Sequence, residues 1–171
     1  MLISEKLAEA FNGQAGRELA ASNQYINIAT YFDVESLPEL AAFFYRQSDE
    51  ERMHAMKFVH YVAEAGGNVA IPAIQAPPGG IKTAEQAAKM ALDWELEVTR
   101  QINGLMDLAI KENDHIAQDF LRWFVTEQLE EVSSMDQLLS VIRRAGEDGL
   151  LMVEQYLSRA GTPGEAGEGA G

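Results

Sequence analysis

Cysteine is absent from the 171-residue chain, which excludes disulfides, thiolate zinc sites, cysteine-ligated iron–sulfur clusters and a thiol nucleophile. Proline and glycine are scarce outside two places, residues 66–80 and the last eleven positions, so long helices can run through the rest. Positive charge is also in deficit: 13 Lys and Arg against 27 Asp and Glu leave a formal net charge of −14. Nucleic acid and anionic membrane are poor partners for such a surface, and cations are natural ones. No apolar run is long enough to span a bilayer and no basic leader precedes one, so the protein is expected to be soluble and cytoplasmic. What is present is hydrophobic residue, 47% of the chain, enough for one domain with a substantial core.

The polar residues repeat. Glu18 is followed by Glu51 (51 − 18 = 33) and His54 (54 − 18 = 36), and Glu95 by Gln128 (128 − 95 = 33) and Glu131 (131 − 95 = 36). Each half reads as a helical hairpin whose first helix offers one carboxylate and whose second offers a pair one turn apart. Two such hairpins stacked face to face predict an all-α four-helix bundle with the ligand set of a dinuclear metal site at its middle.

Local signals bound the elements. Ser4 caps a first helix running to about Asp33, and Ser36-Leu37-Pro38-Glu39 supplies a hydroxyl, an early proline and a carboxylate for the start of a second. That helix ends at Gly66-Gly67. The segment from Asn68 to Lys82, with Pro72, Pro77 and Pro78, cannot be helical and is long enough to cross the bundle. Thr83 with Gln86 opens a third helix to about Lys111; Asn113 or Asp114 opens a fourth that stops at Gly146. A short fifth helix, about Asp148 to Ser158, carries Leu150, Val153 and Leu157 on one face and needs a neighbour to dock on. Residues 1–160 thus form the domain, and 161–171 a disordered Gly- and Glu-rich tail.

The buried stripes read Phe11, Glu18, Tyr25, Phe32; then Phe44, Gln47, Glu51, His54, Phe58, Tyr61; then Ala88, Ala91, Glu95, Val98, Ile102, Leu105; then Leu121, Phe124, Gln128, Glu131, Met135, Leu138, Ile142. Every candidate ligand falls on a stripe near its midpoint. A carboxylate in a core costs several kcal/mol unless compensated. Two ferrous ions balance Glu18, Glu51, Glu95 and Glu131 around a neutral His54, and the Gln128–Glu131 side is the poorer in ligands. Glu50, Glu127 and Glu130 sit beside the stripes and suit either a looser third iron position with Glu131 or a solvated acidic face. Tyr25 and Trp123 suit either electron donation near the metals or core packing.

Gly16-Arg17-Glu18-Leu19, Glu50-Glu51-Arg52-Met53-His54, Trp94-Glu95 and Phe124-Val125-Thr126-Glu127-Gln128-Leu129-Glu130-Glu131 resemble the corresponding runs of bacterial non-haem ferritins, and the resemblance covers about residues 1–160. It implies an iron store with ferroxidase activity: Glu18, Glu51 and His54 hold one Fe, Glu51 bridges to a second held by Glu95 and Glu131, and Gln128 lies alongside, contacting oxygen or a bridging species. It further implies a third iron at Glu50, Glu127, Glu130 and Glu131, a tyrosine beside the centre at Tyr25, Fe(II) with O2 or H2O2 as substrates, and a hollow homo-oligomer of twenty-four subunits holding ferric mineral. Asp114, His115 and Asp119 are the candidates for an iron entry path. A haem-binding bacterioferritin is the alternative within the family, but it needs Met directly after the bridging Glu, where Arg52 stands. Met53, one place late, is turned by about 100°, so no haem is expected. A passive mineral cage without fast oxidation is the alternative of another class.

Overall fold

A computed structural model describes residues 2–160; the expected disorder of the tail lies outside them. Four long helices, α1 (Glu5–Val34), α2 (Pro38–Glu64), α3 (Ala84–Lys111) and α4 (His115–Ala145), are followed by a single 3-10 turn at Glu147–Gly149 and a short α5 (Leu150–Ala160). Helices α1 and α2 pack as one hairpin and α3 and α4 as the other, while α5 lies against α2 and α4. The bundle and its crossover are those read from the sequence.

Three of the four N-termini follow local rules. The side chains of Ser4, Thr83 and Asp114 accept hydrogen bonds from the backbone N–H groups of Leu7, Gln86 and Ala117. The start of α2 is different. Ser36 adopts a left-handed φ of 60° and Leu37 is the cap residue without a side-chain bond. Glu154, from α5, supplies the missing acceptors: its carboxylate takes the N–H of Glu39 at 2.8 Å and of Leu40 at 2.9 Å. A negative group at a helix N-terminus is favoured by both orphan donors and the helix dipole. The expected Ser36 cap is therefore replaced by a carboxylate more than a hundred residues away.

The crossover from Asn68 to Lys82 lies along α1. Asn12 Nδ2 donates to the Asn68 carbonyl at 2.8 Å and Asn27 Nδ2 to that of Pro78 at 3.4 Å. Between them the Pro72 ring lies so close to Gly16 that a Cβ there would sit 2.4 Å from Pro72 Cγ. Glycine is required at that position for the close approach.

The apolar interior is divided in two. One cluster contains Tyr25, Phe32, Phe44, Ala91 and Met135, and the other Ala15, Phe58, Val98 and Phe124. Between them, on all four helices at one level, lie the polar residues of the repeated 33 and 36 spacing.

Candidate metal centre

Glu18, Glu51, Glu95 and Glu131 are 1%, 1%, 0% and 4% exposed, and His54 and Gln128 are each 4% exposed. Periodicity alone puts them there: on each helix the residue seven before or after is a packed apolar or aromatic side chain, so the same face carries the acids inward. Glu18, Glu51 and His54 each place one ligand atom within 4.8 Å of the others, and His54, Glu127 and Glu131 do the same.

Each carboxylate is held differently. Gln14 Nε2 donates to Glu18 Oε1 at 2.8 Å, and because Arg17 donates to Gln14 Oε1 at 3.1 Å the amide can face Glu18 only through its nitrogen. Glu18 Oε2 is left buried without a hydrogen-bond donor, as is Glu51 Oε1. Glu51 stands close enough to Glu18 and Glu95 for the three carboxyls to shift one another's protonation, and its Oε2 lies 3.3 Å from His54 Nδ1. Glu95 receives the Tyr25 hydroxyl on Oε1 and the Gln128 amide nitrogen on Oε2 at 3.3 Å. Each oxygen of an ionised carboxylate keeps a second lone pair, so neither bond removes Glu95 as a ligand.

Electrostatics follow from this crowding. Burial raises the Glu18 carboxyl from 4.5 to about 7, and burial with the charge of Glu18 and Glu50 nearby raises Glu95 to about 8. Glu51 and Glu131 are pushed well above the ordinary carboxylate range, first by burial and then by the charge of Glu95. Burial, assisted by the Lys57 charge, lowers His54 to about 4, so its imidazole is neutral and keeps a lone pair at neutral pH. Two buried carboxylate oxygens without donors, beside a neutral imidazole and two further acids, form a group that could hold divalent cations.

Residues 8–145 match the family described as Ferritin-like domain. The chain belongs to the ferritin family. Ferritin BfrB of Mycolicibacterium smegmatis is 40% identical over 157 residues, which cover 92% of this chain and 86% of that one. Bacterial non-heme ferritin of Bacteroides fragilis is 33% identical over 158 residues, covering 92% and 99%. The open-pore ferritin from the hyperthermophilic archaeon Archaeoglobus fulgidus matches with a TM-score of 0.89 at 36% identity, over 92% of this chain and 98% of that one.

In this ferritin the remaining candidates separate. Glu50 and Glu127 are half-buried beside the centre, whereas Glu130 is exposed and belongs to neither ligand group. Trp123 packs edge-on to His54 with ring centroids 5.4 Å apart, 40% exposed and covered by Lys57 Nζ at 4.0 Å from its ring. Tyr25 is fully buried on Glu95. Asp114 caps α4, and His115 and Asp119 are exposed on its first turns. Two residues of the site do not follow from the repeated spacing: Gln14 on Glu18, and Thr99, whose hydroxyl lies 2.9 Å from Gln128 Oε1. Both sit four residues from a carboxylate on the same helix face, which is the signal that finds them.

Proposed function

We propose that this chain is an iron-storage protein with ferroxidase activity: it oxidises Fe(II) to Fe(III) at a di-iron centre inside each subunit and passes the product to mineral held in a hollow shell. The support is one observation, that four carboxylates and a neutral imidazole converge from four helices in a core that offers two of their oxygens no donor. In the absence of cations this arrangement is costly; with two Fe(II) ions it is electrically balanced.

Fe(II) is substrate. Glu18 and His54 take one ion, Glu95 and Glu131 the other, and Glu51, adjacent to Glu18 and Glu95, bridges them. Each ion gives one electron to O2 or H2O2, and the surrounding apolar clusters keep bulk water out while the fixed carboxylates stabilise the added positive charge. Protons leave the raised carboxyls as the ions enter. Tyr25 holds Glu95 in place through its hydroxyl. Glu127, with His54 and Glu131, offers a nearby position from which oxidised iron departs, and Glu50 lies on the same side.

A closed shell of many copies, twenty-four on the resemblance to the family, is supported by membership of the ferritin family. Leu129, Leu151 and Met152, 74%, 71% and 72% exposed in the single chain, are candidates for contacts between copies.

The test is stopped-flow mixing of anaerobic Fe(II) with protein in aerated buffer. The wild type shows a fast oxidation phase that Glu51→Ala abolishes, with the slow mineral phase retained. An unchanged fast phase in Glu51→Ala supports a passive cage instead.

A further inference from the structure

Gln128 is the only ligand-level residue of the repeated pattern that cannot carry charge, and its amide can face the centre through either oxygen or nitrogen. Thr99 decides which. The Thr99 hydroxyl stands 2.9 Å from Gln128 Oε1, and Gln128 Nε2 stands 3.3 Å from Glu95 Oε2. The same hydroxyl is 2.8 Å from the Glu95 carbonyl one turn back along α3. It has a single proton. If that proton went to the Glu95 carbonyl, a hydroxyl lone pair would face the Gln128 carbonyl oxygen, acceptor against acceptor; turning the amide over would relieve this but set the Gln128 oxygen against the Glu95 carboxylate. When a cation holds Glu95 as its carboxylate, one polarity satisfies every group: Thr99 donates to Gln128 Oε1, and Gln128 Nε2 donates to Glu95. The Glu95 carbonyl keeps its ordinary helical partner.

We propose that Thr99 is a positioning residue that locks the Gln128 amide with its nitrogen toward Glu95, making Gln128 a hydrogen-bond donor at the di-iron centre and not an iron ligand. The proposal rests on the ferroxidase reading above. Thr99 is half-buried, and its hydroxyl lies against the Gln128 side chain and, on its own helix, the Glu95 backbone carbonyl, so the ligand side chain it bears on is that of Gln128. The second iron then has Glu95, Glu131 and the Glu51 bridge as protein ligands, and the amide fixes the carboxylate plane of Glu95 from one side as Tyr25 does from the other.

The experiment compares wild type, Thr99→Val, Thr99→Ser, Gln128→Leu and the Thr99→Val/Gln128→Leu double variant by anaerobic Co(II) titration with visible spectroscopy, and by the initial rate of Fe(II) oxidation. All five are expected to take up two Co(II) per chain with the same ligand-field bands. Losing the buried amide bond to the Glu95 carboxylate, directly in Gln128→Leu and through the released amide orientation in Thr99→Val, slows oxidation about ten-fold in both. Thr99→Ser stays within about two-fold of wild type, and the double variant is no slower than Gln128→Leu, because Thr99 acts only through that amide. Thr99→Val at the wild-type rate, multiplicative losses in the double variant, or a Co(II) missing from Gln128→Leu overturns the proposal while leaving the ferroxidase reading intact. A wild-type protein that takes up no Co(II) overturns the di-iron reading, and this assignment with it.

Discussion

At the scale of single residues, the buried carboxyls make the metal-free protein sensitive to alkali. Glu18 and Glu95 ionise near 7 and 8 in the folded chain instead of near 4.5. A raised carboxyl binds its proton more tightly when folded, so its contribution to stability is full below about pH 4.5 and is lost as pH rises through 7 and 8. The melting temperature of metal-free protein should therefore fall between about pH 6 and pH 8.5, and Glu51→Gln, which removes one of the repelling charges, should flatten that slope. His54, lowered to about 4, acts in the other direction and takes stability away as pH drops below 6.5. Tyr25→Phe tests the hydroxyl on Glu95. That bond holds the Glu95 carboxyl down, so its removal should move the pH midpoint of Zn(II) or Co(II) uptake upward and slow Fe(II) oxidation several-fold, by an energy of about 1–3 kcal/mol.

At the scale of elements, two contacts that join distant parts of the chain carry their own predictions. Glu154→Ala leaves the N–H groups of Glu39 and Leu40 without their acceptor and should cost about 1 kcal/mol, read as a lower melting temperature together with faster proteolysis of α5. Gly16→Ala drives a methyl into Pro72 and should cost about 1–3 kcal/mol, with the crossover becoming the first site of hydrogen exchange. Much of this architecture was legible beforehand. The caps Ser4, Thr83 and Asp114 act within one turn, and the stripes from Phe11 to Ile142 depend only on helical period, so local sequence suffices for both. Ser36 misled for a physical reason: it is a good cap residue by type, but at φ 60° it turns the chain, and the acceptor arrives from α5. Tyr61, read as part of the α2 stripe, is only half-buried because the stripe reaches the end of the bundle there. The 33 and 36 spacing marks six polar residues that the fold buries, Glu18, Glu51, His54, Glu95, Gln128 and Glu131, but not Gln14 and Thr99, since neither repeats between the halves. Glu130 shares its charge with Glu127 but points to solvent one turn position away.

At the scale of the whole molecule, a single chain explains the centre but not its own surface. If the chain forms the closed shell proposed above, Leu151 and Met152 of α5, exposed in the single chain, are buried between copies, and native mass spectrometry should find twenty-four subunits with no stable population of free monomer. Leu151→Glu together with Met152→Glu should shift that distribution toward smaller species while leaving each subunit folded and its fast oxidation phase present, because the candidate ligands Glu18, Glu51, His54, Glu95 and Glu131 all lie within one chain. The division of the apolar interior into two clusters with a belt of acids between them is the feature on which the functional account depends. The most direct measurement of it is an anomalous difference map, recorded at the iron edge from crystals exposed to Fe(II) under nitrogen. The account predicts two peaks within each subunit, one between Glu18, Glu51 and His54 and one between Glu51, Glu95 and Glu131. Iron confined to the outer or inner surface, with no density among those five side chains, would contradict it.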